Sequence, residues 1–141
     1  MAKVDPEKQK ELQQRYLEFQ LIEQQSRQIE KQLQVLENQL VEIISIQLSL
    51  DELKDSKLDS EILVPVSNGI FVKGELKENK ELLVNVGSNT IVVKSIEETK
   101  ELIGKQQVEI NQIKMQLLAE MEKLNNRAME LQDELEKLIK D

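Results

Sequence analysis

Residues Ile62 to Lys94, ILVPVSNGIFVKGELKENKELLVNVGSNTIVVK, interrupt two long runs of helical character. The stretch is rich in β-branched residues and holds three of the four glycines and one of the two prolines. Its flanks are Gln, Glu, Lys and Leu at helical spacing, so the chain reads as helix, β insert, helix. Within the insert, Ile62-Val64-Val66 and Leu82-Val84-Val86 alternate at period two, and Ile70 to Leu76 and Thr90 to Lys94 supply further candidate strands. Ser67-Asn68-Gly69 and Gly87-Ser88-Asn89 carry residues that tolerate positive φ, as tight hairpins require. The polar link Lys77 to Lys80 joins one hairpin to the next. Pro65 has no ladder donor and Gly74 interrupts its strand, so each marks an edge or a bulge.

Two hairpins with apolar residues on both faces, among them Leu63, Phe71, Leu83 and Val92, are not stable alone in water, because their faces and edges stay open. They need strands from other chains. The insert is therefore expected to be an oligomerisation module, with Ile62, Val64, Val66, Phe71, Leu82, Val84, Val86, Ile91 and Val93 as its contact residues.

Asp5 is a suitable N-cap for the first helix, with Pro6 at the first helical position and Glu7 favourable to the dipole. Leu12, Phe19, Ile22, Ile29, Leu33, Leu36, Leu40, Ile43 and Leu50 then follow at heptad spacing, with Ser26 and Gln47 as polar breaks. No Gly or Pro occurs between Pro6 and Leu53, so one helix of about 70 Å is expected at ~1.5 Å per residue. Val41, Ile44, Ile46, Leu48 and Leu53 widen the apolar stripe near the insert, where the helix is expected to pack on the β unit or on neighbouring chains. Lys54 to Ser60 breaks the periodicity and serves as a linker.

Ser95 and Glu98 have the spacing of a capping box, which places the second helix start at Ser95. Ile96, Ile103, Ile110, Leu117, Leu124, Leu131 and Leu138 recur every seven residues, a coiled-coil seam. A companion row from Ile113 to Met121, Ala128 and Leu135 gives consecutive steps of four around Leu117, a stutter that locally unwinds the supercoil. The insert reverses the chain, so the helices should pair antiparallel within one chain. The fold class is α+β, mainly α, a long antiparallel intrachain coiled coil with two β-hairpins between its helices. The expected segments are 6–57 for the first coiled-coil helix, 58–94 for the hairpins and 95–140 for the second helix.

Aromatics are only 2% of the chain, too few for a large core or a shaped pocket. A net charge of −8 without a basic cluster argues against duplex DNA and anionic membrane surfaces. There is no Cys, hence no disulfide or thiolate metal site, and no His; with no Gly-rich phosphate loop either, an enzyme is not expected and no cofactor is implied. The opening MAKVDPEKQKELQQ has no apolar core and resembles no targeting signal, and no apolar run approaches a spanning helix, so a cytoplasmic location is expected.

The far ends of the two helices carry more apolar surface than a two-stranded seam can bury. Leu12, Tyr16, Leu17 and Phe19 lie on one helix, and Leu131, Leu135, Leu138 and Ile139 on the other. They either complete the seam or form an exposed, splayed grip for other polypeptides.

The order helix, two hairpins, helix, together with VPVSNGIFVKGEL and LLVNVGSNTIVVKSIEE, resembles the prefoldin family, and its alpha class of archaeal type in particular. Two hairpins rather than one, the LVPV and LLVNVGSN runs and the trailing Glu97-Glu98 carry the likeness, which extends over essentially the whole chain. The resemblance implies a hexamer of two alpha and four beta subunits whose hairpins join in a β-barrel platform. It also implies ATP-independent capture of non-native polypeptides at the coiled-coil tips and their delivery to a group II chaperonin. The competing expectation from the residues is a passive coiled-coil scaffold that binds one folded partner.

Overall fold

The computed structural model describes residues 5–140. Residues 1–4, part of the stretch read for a targeting signal, lie outside it. The elements are α1 (Pro6–Asp55), β1 (Glu61–Ser67), β2 (Ile70–Glu75), β3 (Glu81–Asn85), β4 (Ile91–Ser95) and α2 (Ile96–Lys140). They divide into two compact units. One, the terminal unit, combines α1 up to Asn38 with α2 from Ile110; the other, the hairpin unit, runs from Gln39 to Glu109.

Helix α1 begins as its residues dictate. The Asp5 carboxylate accepts the Glu7 N–H at 3.2 Å, and the Asp5 carbonyl accepts the Gln9 N–H at 2.9 Å. Pro6, which has no N–H to leave unpaired, takes the first helical place. The covered positions then step by four and three without a break: Leu12, Arg15, Phe19, Ile22, Ser26, Ile29, Leu33, Leu36, Leu40, Ile43, Gln47 and Leu50. This is the expected heptad row, with Arg15 filling the one place for which apolar spacing offers no residue.

The start of α2 is a capping box. The Glu98 N–H donates to the Ser95 hydroxyl at 3.1 Å, and the Ser95 N–H donates to the Glu98 carboxylate at 3.4 Å. Thr99, buried, donates its hydroxyl to the Ser95 carbonyl at 2.7 Å. Further along, the observed seam differs from the one expected. Ile113 is 47% exposed, and its place is taken by Lys114, whose stem is partly covered while its ammonium pairs with Glu37 on α1. From Gln107 to Leu138 the seam therefore keeps a regular three-four rhythm, and consecutive steps of four fall instead at Thr99, Ile103 and Gln107. The physical reason is that a lysine stem is apolar, so Lys114 can serve the seam while its charge stays in solvent.

In the terminal unit, Arg15 pairs with Glu134 and Arg127 with Glu18 across the two helices. In the hairpin unit, Gln47 donates to Gln107 at 3.3 Å, Lys54 pairs with Glu97 at 2.9 Å, and Lys100 pairs with Asp51. Each set runs up one helix as it runs down the other, so within each unit the helices are antiparallel.

Strands β1 and β2 form one two-stranded antiparallel sheet and β3 and β4 another. In the first, Ile62 faces Gly74, Leu63 faces Lys73, Val64 faces Val72 and Pro65 faces Phe71, with Val66 skipped before Ser67 meets Ile70. The irregularity thus falls next to Pro65, whereas Gly74 sits in regular register. Its turn uses Gly69 at φ +80°. In the second, Leu82 faces Lys94, Leu83 faces Val93, Val84 faces Val92 and Asn85 faces Ile91. Ser88 and Asn89 both have positive φ, as a tight right-twisting hairpin turn requires, and the Gly87 carbonyl accepts the Thr90 N–H at 2.9 Å.

The connections are held by polar contacts that residue spacing does not announce. The Asn79 amide donates to the Leu53 and Ser56 carbonyls, both at 3.2 Å, and so satisfies open groups at the end of α1. The Asp59 N–H donates to the Leu76 carbonyl at 2.7 Å, the Leu76 N–H returns to Ser60 at 3.0 Å, and the Leu76 side chain is buried.

Candidate interaction surfaces

Residues opposite one another in an antiparallel pair share a face, so the registers assign the faces of each hairpin. In the first hairpin one face carries Ile62, Val64 and Val72, and the other carries Leu63, Pro65 and Phe71. Ile62 is half-buried, whereas Val64, Val66 and Phe71 are exposed. In the second hairpin Leu82, Val84 and Val92 share a half-buried face, and Leu83, Val93 and Ile91 share an exposed one on which Leu83 reaches 77% exposure. Val86, at the turn, is exposed. Among the described residues, neither hairpin finds a third strand. Both hairpins thus present apolar side chains on two faces and open backbone groups on two edges, a surface unsuited to stand in water.

The same unit carries a second exposed apolar row on α1, formed by Val41, Ile44 and Leu48 with Ile46 beside them. These are the residues that widen the stripe in the sequence, and within the chain they remain uncovered.

The terminal unit is built differently. Leu131 has no exposed surface and Leu135 is buried, so both belong to the helix–helix seam and not to a splayed end. Leu12, Phe19 and Leu138 are half-buried beside them. Tyr16, Leu17 and Ile139 are exposed, and Leu21 and Met129 add to that surface. A charged network that sequence reading missed spans the same stretches of the two helices. Arg127 grips Glu18 with two hydrogen bonds, Nε at 2.7 Å and Nη2 at 3.1 Å, and also meets Glu130 at 3.1 Å. Arg15 donates to Glu134 at 2.8 Å. Paired guanidinium bonds of this kind fix geometry as well as charge.

Electrostatics follow from these contacts. The hydrogen bond from Arg127 holds the Glu18 carboxyl below the usual carboxylate range, and the same bond raises Arg127 further. The hydrogen bond from Lys54 lowers Glu97, and that from Glu97 raises Lys54. A lowered carboxyl contributes stability above its unfolded pKa of about 4.3 and loses it as pH falls through the lower folded value. Melting followed by circular dichroism should therefore fall as pH drops from 5 to 3. Glu18→Gln should show a shallower fall than the parent chain, and identical slopes would mean that the pair adds nothing in solution. The raised Lys54 acts oppositely, its contribution being lost only as pH rises through its folded value, above ~10.4.

Among the described residues, no group of three or more Asp, Glu, His or Cys is placed to hold a metal ion, and no helix is long and apolar enough to cross a membrane.

Two long helices, antiparallel within each unit and separated by two hairpins, with apolar surface left on the hairpins and on the terminal unit, define a subunit of the coiled-coil and hairpin class. The family model described as Prefoldin subunit matches residues 22–141, and the chain belongs to the prefoldin family. Its fold is similar to that of filamentous PFD from Methanocaldococcus jannaschii, solved by cryo-EM, with a TM-score of 0.77 at 18% identity, covering 84% of this chain and 98% of that one. No curated protein matches this chain.

Proposed function

We propose that this chain is an alpha-class prefoldin subunit that assembles through its hairpins with beta subunits, two alpha to four beta, and holds non-native polypeptides without ATP before delivery to a group II chaperonin. The observation that carries the proposal is the division of exposed apolar surface between two units. One set lies on hairpin faces and edges that need partner strands, and the other lies on a helix pair already closed by its own seam.

Tyr16, Leu17 and Ile139 are the direct client contacts in this reading, with Leu12, Phe19 and Leu138 at the margin. Leu131 and Leu135 act by holding the two helices together beneath them. A surface of one tyrosine, one leucine and one isoleucine makes weak, sequence-tolerant contacts with unfolded chains. Several such surfaces in one assembly retain a client by raising the effective concentration of the next contact. The transfer step then needs only the exchange of weak contacts, and the negative surface limits self-association.

The test is light scattering from a chemically unfolded protein diluted into the assembled complex without ATP. The triple variant Tyr16→Ser, Leu17→Ser, Ile139→Ser changes exposed side chains only, so the complex should form normally. Suppression of aggregation should weaken roughly tenfold in the concentration of complex required. Full suppression by the triple variant would remove these residues from the grip. If neither parent nor variant suppresses aggregation, the chain is a scaffold for one folded partner.

A further inference from the structure

We propose that Asn68 is a site of spontaneous deamidation in the folded protein, which converts the first hairpin turn to an aspartyl or isoaspartyl linkage. The inference is independent of client binding. It rests on what surrounds each asparagine in the hairpin unit.

Asn68 is exposed, and none of the side-chain hydrogen bonds found among the described residues involves it. Its successor is Gly69, at φ +80° with nothing near the position a Cβ would occupy. The residue that must supply the attacking nitrogen is therefore the least hindered one available. The other asparagines of this unit are restrained. Asn85 accepts the Gly87 N–H at 3.0 Å and precedes the branched Val86. Asn89 precedes the branched Thr90. Asn79 is tied to the Leu53 and Ser56 carbonyls.

The chemistry needs no partner but water. The Gly69 backbone nitrogen loses its proton to solvent and attacks the side-chain carbonyl carbon of Asn68. A new nitrogen–carbon bond closes a five-membered imide as the side-chain amine leaves as ammonia. Water then opens the ring at either carbonyl, with no change of oxidation state. One opening gives an ordinary aspartyl residue, and the other routes the backbone through the side-chain carbon. Both add a negative charge, and the second adds a backbone atom to a turn that fixes the Ser67–Ile70 register.

The test uses the assembled wild-type protein, held in mildly alkaline buffer and sampled over time by peptide mapping with separation of isoaspartyl products. Conversion at Asn68 should exceed that at Asn85 or Asn89 by about tenfold, since only Asn68 precedes a residue without a Cβ. A parallel sample in urea measures the rate without the fold. Conversion at Asn68 that is no faster than at Asn85 in the folded protein, or that appears only in urea, overturns the proposal.

Discussion

Replacing Leu131 with alanine is expected to destabilise the helix pair by about 3 kcal/mol, the usual cost of truncating a fully buried leucine. Among the described residues, Leu131 is the one large side chain with no exposed surface. The neighbouring seam residue Leu135 is buried, and the Arg15–Glu134 and Arg127–Glu18 pairs tie the same stretches of helix together. Because Leu131 meets no solvent, both the lost transfer energy and the cavity left behind are felt. Denaturation followed by circular dichroism measures the change. The control is Met129→Ala, two residues away but exposed, which should stay within about 0.5 kcal/mol. Equal losses at the two positions would show that this end of the pair is frayed in solution.

The second large effect is expected from Val84→Asp, which should abolish assembly while leaving helix content nearly unchanged. Val84 lies opposite Val92 on the half-buried face of the second hairpin. A carboxylate there must be desolvated when the hairpin meets its partners, and an unpaired buried charge costs several kcal/mol. Neither α1 nor α2 depends on that face for its own seam, so the far-ultraviolet spectrum should persist as the complex falls apart. Light scattering coupled to size exclusion reads the result, and a native-size complex from this variant would remove the second hairpin from the assembly interface.

These two sites also show what could be read in advance. The seam of α1 and both caps were legible because each depends on residues close in sequence: a heptad, a Ser–Glu pair three apart, an Asp before a Pro. The hairpins were legible for the same reason, since Asn68-Gly69 and Gly87-Ser88-Asn89 specify turns by their own backbone tolerance. The place of Lys114 was not, because hydropathy scores its charge and ignores its stem. The seam places of Leu131 and Leu135 were legible from their spacing, but the bonds from Arg15 and Arg127 to carboxylates 119 and 109 residues away were not. Asn79 was invisible for a related reason: only the completed chain reversal brings a polar loop residue to the open carbonyls of α1. Local pattern thus located the elements and most of the seam, and the long-range polar contacts became visible only in the folded chain.

One of those contacts bears on how several copies of such a subunit avoid entanglement. The Gln47–Gln107 hydrogen bond sets two amides face to face within the seam. Sliding one helix by a heptad would set Gln47 against Lys114 or Lys100 and Gln107 against Leu40 or Lys54, so the amide–amide bond is lost in either direction. The pair therefore acts as an alignment mark. It penalises a helix that zips onto its own partner out of step, or onto a neighbour's helix in a shifted frame, and so favours each chain completing its own pairing before it joins a crowd of similar helices.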